Sequence, residues 1–181
     1  MTPSIASTWG STAAERALSL PCDRHLAGAD DVYHRAVTVD GPATVAFRWL
    51  CQLRVAPYSY DWIDNFGRRS PRELTPGLEN LAVGQTFMTM FELVDFERDR
   101  HLTLRSRQGR WIFGDVAVSY ALLPLDGGRC RLVVRLLVRH TGGRAVALVR
   151  GALLPWGDVV MMRKQLLNLK RLAEETARSE S

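Results

Sequence analysis

The stretch RCRLVVRLLVRH, residues 129–140, limits the possible folds more than any other part of the chain. Cys130, Leu132, Val134, Leu136 and Val138 alternate with Arg129, Arg131, Arg135 and Arg139. A period of two is the signature of a strand with one apolar and one polar face. The Asp126-Gly127-Gly128 run just before it is a hairpin signal, because glycine accepts the positive φ that tight turns require. The preceding segment, GDVAVSYALLP, alternates Val116, Val118, Tyr120 and Leu122, so the two form an antiparallel pair. Such a pair needs a cover over its apolar face, whereas the arginine face reads as a solvated back.

The cover is at the end of the chain. Val159, Met162, Leu166, Leu169 and Ala173 recur at three- and four-residue steps, with Arg163, Lys164, Lys170, Arg171 and Glu174 opposite. This is a long amphipathic helix, with Asp158 as its N-cap or first-turn acid. Earlier, DVYHRAVTVD (31–40) alternates as a strand, and Pro42 opens a helix whose stripe is Val45, Trp49 and Leu53. Ser70-Pro71-Arg72-Glu73 reads as a capping box for a single helical turn. GQTFMTMFELVDFERD reads as one long strand or two, and HLTLRSR as another. Residues 1–28, rich in Ser, Thr, Ala and Gly, read as a flexible N-terminal extension, leaving 29–178 as one domain.

The formal net charge of +5 is almost all arginine, and the arginines are scattered through several elements, which argues against a nucleic-acid surface. The three cysteines, Cys22, Cys51 and Cys130, have neither disulfide-framework nor metal-knuckle spacing. His25, His34, His101 and His140 show no i,i+4 pairing, so neither a metal nor a cofactor is expected. The apolar stretch AVALVRGALLPWGDVVMM is broken by Arg150, Gly151, Pro155 and Asp158 and is too interrupted to span a membrane. No secretory signal is apparent at the start, and a cytoplasmic protein, monomer or homodimer, is the expectation.

This order of elements resembles the START/SRPBCC superfamily, the helix-grip fold of polyketide cyclase/dehydrase-like and lipid-transfer proteins. The resemblance is carried by HRAVTVDGPATVAFRWL, by GDVAVSYALLPLDGGRCRLVVRLLV and by DVVMMRKQLLNLKRLAEE, and spans about residues 31–176. It implies an α+β fold in which a curved antiparallel sheet wraps a long C-terminal helix, with short helices after the first strand. It also implies a hydrophobic cavity between sheet and helix. The superfamily shares no catalytic motif, so the resemblance brings no catalytic residue with it.

The segment YSYDWIDNFGRR (58–69) is where chemistry is most concentrated. Ser59 suits an N-cap, Asp61 and Asp64 suit the first turns, and Gly67 suits a terminator, so a short capped helix accounts for most of it. The functional reading puts Tyr58, Tyr60, Asp61 and Trp62 at the cavity mouth. Phe87, Met88, Trp111, Tyr120, Met162 and Leu166 are the further lining candidates. The expected function is binding of a lipid, polyketide or aromatic metabolite. The alternative is a cyclase/dehydratase-type enzyme using Asp61, Tyr60, Tyr120 or His101, and the sequence leaves that choice open.

Overall fold

The structure is a computed structural model. It describes residues 5–59, 69–107, 114–140 and 144–180, with the backbone path alone over 5–6 and 144–159. Six antiparallel strands form one curved sheet: β1 (Asp31–Val39), β2 (Thr86–Phe87), β3 (Phe91–Glu97), β4 (His101–Ser106), β5 (Asp115–Leu125) and β6 (Arg129–Arg139). Their spatial order is β1-β6-β5-β4-β3-β2. Gly127 and Gly128, at φ 72° and 69°, make the β5–β6 turn. Strand period two therefore gives the hairpin in the expected register, with Tyr120 opposite Val134 and Ser119 opposite Arg135.

GQTFMTMFELVDFERD is two strands, not one. Met88 and Thr89 turn the chain at φ 45° and 62°, and the β3–β4 register slips between Leu93 and Asp95. Residues 70–73 form a bend, not the expected helical turn.

Helix α4 (Ala43–Cys51) follows β1, with Pro42 at its N-cap. The C-terminal helix α5 (Arg144–Ser179) begins well before Asp158, which is therefore interior to the helix and does not cap it. The second half of α5 is clamped to the β1–α4 corner. Trp49 Nε1 donates to Thr176 Oγ1 at 3.0 Å, the Asp40 amide to Glu174 at 2.8 Å, and Lys170 to the Thr38 carbonyl at 2.8 Å. Leu166, Leu169, Leu172 and Ala173 close this end of the concave face against Trp49, Leu50, Leu53 and Leu132. Full burial of each large apolar side chain contributes about 1.5–3 kcal/mol, so this end is the main stabilising core.

Residues 5–28, read from sequence as a flexible or loosely docked extension, pack against the sheet. Three short helices precede β1: α1 (Ile5–Thr8) lies along the β1 edge against α5, whereas the segment with α2 (Ala13–Ala17) and α3 (Cys22–His25) straps the convex face of the sheet. Leu20, Cys22 and Leu26 are 7%, 0% and 2% exposed, packed with Ala36, Ala117, Ala121, Val133 and Leu137. The physical reason lies under the strap. His34, Arg135, Ser119, Thr103 and Asp95 form one polar row across five strands. The strap satisfies it: Arg135 donates to Asp23 (2.6 Å), to the Arg16 carbonyl (2.8 Å) and to the Leu18 carbonyl (2.6 Å). Arg131 pairs with Glu15 at 2.7 Å. Burial pushes the Glu15 carboxyl up, but the Arg131 guanidinium and the Thr12 amide outweigh it and hold it below the usual range. The supposedly wet arginine face is thus a covered one at Arg131 and Arg135.

Candidate functional site

The concave face divides into two regions. Beyond the closed core, toward the start of β1, lies a smaller cluster of Tyr33, Val116 and Val138, with Phe91 and Leu136 only partly buried beside it. Polar groups enter at the boundary. The Tyr120 hydroxyl, on a side chain 1% exposed, donates to Gln165 Oε1 at 2.8 Å. Gln165 Nε2 in turn donates to the Pro57 carbonyl at 2.6 Å and lies 3.5 Å from Met88 Sδ. Asn168 Nδ2 donates to the Tyr58 carbonyl at 2.8 Å. Tyr58 and Met88 both hold positive φ, at 55° and 45°. Such conformations cost about 1 kcal/mol or more each and persist only where the surroundings enforce them.

Two further groups on this face are absent from the candidates that the sequence suggests. Arg35 is 1% exposed and shares the register of Val134 and Tyr120. Its Nη1 donates to the His34 carbonyl at 2.8 Å, and its guanidinium lies 5.6 Å from the Tyr33 ring centroid. The signal for it is an arginine in step with Tyr33, Val37 and Val39 on an apolar face. His140 is the second. Its Nε2 lies 2.7 Å from Asp31, whereas its Nδ1 is buried and has no hydrogen-bond partner among the described residues. An Nε2–H donated to Asp31 leaves Nδ1 as the acceptor in the neutral imidazole and as a second donor in the imidazolium. Asp31 and His140 are far apart in sequence, and only the β1–β6 register brings them together.

Among the expected lining residues, Phe87 and Leu166 are fully enclosed, both at 0% exposure, and belong to the closed core. Tyr58 stacks edge-on against Trp49, with centroids 5.9 Å apart. Met88 and Met162 are partly buried against the same core and keep surface at its margin. Tyr60, Asp61, Trp62 and Trp111 lie outside the described residues. His101 stands opposite Ala121 on the convex face, 3.4 Å from Asp95, so the sheet separates it from Tyr120. It cannot act with Tyr120 on one substrate.

Two open surface clefts lie away from this face. One, of about 370 Å³, is lined by Glu92, Val94, Arg105, Ser106 and Arg107; the other, of about 300 Å³, by Trp49, Arg72, Leu74 and Glu175 among others. The arginines of the first already pair with Glu92 and Asp115. Among the described residues no group of three metal-ligating side chains occurs, and no helix is long and apolar enough to cross a membrane.

No family model and no curated protein matches the sequence. Solved structures do match the fold. A hypothetical protein of Helicobacter pylori superposes with a TM-score of 0.54 at 16% identity, over 87% of this chain and 96% of that one. A protein of Thermobifida fusca gives a TM-score of 0.51 at 13% identity, over 78% and 94%. The di-domain ARO/CYC StfQ from the steffimycin biosynthetic pathway gives a TM-score of 0.52 at 15% identity, over 81% of this chain and 51% of that one. At these identities the likeness is one of fold: the chain has a helix-grip fold.

Proposed function

We propose that this chain binds a hydrophobic small molecule, of the lipid, polyketide or aromatic class, between the open half of the concave face and the first half of α5. The observation that carries this reading is the polar boundary itself. A face serving only as core has no use for a tyrosine–glutamine pair, a buried arginine and a histidine–aspartate pair beside partly buried Phe91 and Leu136. A ligand site does, because such sites are apolar walls with a few placed polar groups. The fold neighbour from a polyketide pathway supports the same class. Native mass spectrometry of freshly purified protein is expected to show a retained small molecule, and an environment-sensitive dye to bind saturably and be displaced by fatty acids. An empty protein that binds neither dye nor fatty acid would overturn the reading.

A second reading, a cyclase/dehydratase-type enzyme, is favoured by one specific feature: the His140–Asp31 pair with its buried second ring nitrogen. A positioned histidine near an apolar pocket can take a proton from carbon next to a carbonyl. Tyr120→Phe and His140→Gln are each expected to lower turnover of a poly-β-keto thioester while the fold survives. Unchanged turnover in both would eliminate it.

A further inference from the structure

We infer that the α2–α3 segment is an acid-released latch: protonation of His34 lifts residues 16–23 off the convex face while the closed core stays folded. The latch is independent of what the concave face holds. Its pivot is Arg135, which stands opposite His34 in the β1–β6 register. The Arg135 Nη1 donates to Asp23 at 2.6 Å, and its Nη2 to the Arg16 and Leu18 carbonyls at 2.8 Å and 2.6 Å. Its Nε donates to His34 Nε2 at 3.2 Å. A guanidinium has no acceptor, so this bond exists only while Nε2 offers a lone pair, in the neutral imidazole with its proton on Nδ1. A proton arriving at Nε2 removes the acceptor and sets one cation against another on a covered face.

The charged groups around His34 favour that outcome. After burial itself, Arg135 of β6, Arg16 of α2 and Arg35 of β1 act against the imidazolium, and Asp23 of α3 opposes them. Apart from Arg135, the segment rests on a shallow apolar contact. Its anchors are Leu20, Cys22 and Leu26, over a floor that includes Ala36, Ala117 and Ala121. The ties on either side do not involve His34. Arg131 pairs with Glu15 at 2.7 Å before the segment, and Arg24 with Asp95 at 2.7 Å after it. His25 and His101 also flank Asp95, at 3.6 Å and 3.4 Å, so a proton on either adds attraction at that end. The lift is therefore confined between the two ties. It uncovers the Cys22 thiol, which is 0% exposed when the latch is shut. Cys51 and Cys130 lie in the closed core and serve as references within the same chain.

The test is thiol labelling with dithiodipyridine, which reacts in acid, with each cysteine followed by peptide mass. Each rate is divided by that of the denatured protein at the same pH. The lifted segment takes its proton at the ordinary histidine pKa of 6.5 and the docked one only at about 4. The latch is thus shut above pH 6.5 and opens as the pH falls through that window. Between about pH 7.5 and about pH 5 the Cys22 rate should rise about 10- to 30-fold, with Cys51 and Cys130 unchanged. His34→Gln keeps an acceptor for Arg135 but takes no proton, so its Cys22 rate should stay flat. A wild-type Cys22 rate that does not rise would overturn the inference. So would a rise shared by all three cysteines, which is global unfolding, or a rise undiminished in His34→Gln, which assigns the trigger to another group. If His34→Gln does not fold, wild-type hydrogen exchange at the same two pH values decides the matter. A gain confined to residues 16–23 supports the latch, and a gain spread over β5 and β6 overturns it.

Discussion

Replacing Arg135 with methionine should show how firmly the strap of residues 5–28 is bound. The side chain is 8% exposed and its guanidinium reaches four acceptors: Asp23, two strap carbonyls and His34 Nε2. Methionine keeps most of the stem and removes every one of these bonds. Asp23 can turn to water, since it is 35% exposed and still accepts from the Leu20 amide. The Arg16 and Leu18 carbonyls lose a charged donor on a covered face. Hydrogen bonds to charged groups are each worth about 1.5–3 kcal/mol and do not add fully, so the expected loss is about 3–5 kcal/mol. For a domain of this size that is a fall in Tm of about 10 °C. Urea unfolding and calorimetry measure it, with Arg129→Met as the control. Arg129 is exposed and bonds only the Asp126 carbonyl in its own turn, so its replacement should stay within about 0.5 kcal/mol. Hydrogen exchange should localise the damage in Arg135→Met to residues 12–28. A loss below about 1 kcal/mol, indistinguishable from the Arg129 control, would refute the docked strap.

His34 should give the domain an acid-sensitive stability. Burial, then Arg135, Arg16 and Arg35, push its folded pKa down to about 4, with Asp23 opposing. The unfolded chain takes up a proton near pH 6.5 that the folded chain refuses until about pH 4, so stability is fully present above pH 6.5 and falls through that window. The loss, discounted for partial exposure, is about 2 kcal/mol, read from urea midpoints against pH; His34→Gln should flatten the curve. Gly10→Ala should detach the strap from the sheet edge, because φ is 73° and the new Cβ would stand 2.2 Å from the Ala36 carbonyl oxygen. The expected cost is about 2–3 kcal/mol, against about 1 kcal/mol for Gly28→Ala, whose nearest neighbour is a flexible arginine tip at 3.8 Å. Burial pushes the Cys51 thiol up to about 12 and Cys130 to about 11, and raises Cys22. A thiol reagent at pH 8 should therefore label none of them until denaturant is added, and fast labelling of the native protein would contradict the packing.

Elements with long, regular periods are legible in the amino-acid sequence. The β5–β6 hairpin, β1, α4 and the second half of α5 follow from alternation and helical stripes, and together they imply the wrapped sheet. The strap is not legible, for a physical reason. Its helices are four or five residues long, too short for a period, and its attachment runs largely through backbone carbonyls and amides. Cys22 N donates to Ser119 Oγ at 2.8 Å, and any residue but proline offers the same amide. The trace it leaves is indirect: four arginines on one strand face, two of which are covered by it. On the concave face the tyrosine at 120 is legible as a hydroxyl on an apolar stripe. Its partner Gln165 is not, since a glutamine on an amphipathic helix ordinarily marks the wet side.

β1 grades the concave face from polar to apolar. Its concave residues, at steps of two, are Asp31, Tyr33, Arg35, Val37 and Val39, so polarity runs along a single strand from charged to apolar. At about 3.3 Å per residue, Arg35 lies about 13 Å from either end. Among the described residues, the second half of α5 is tied to β1 and α4 at the apolar end, by Thr38–Lys170, Asp40–Glu174 and Trp49–Thr176. Toward the helix start follow Asn168, bound to the Tyr58 carbonyl, and Gln165, bound to Tyr120 and the Pro57 carbonyl. Substitutions at Val37, Val39 or Leu169 act on folding free energy, because they open cavities in a sealed core.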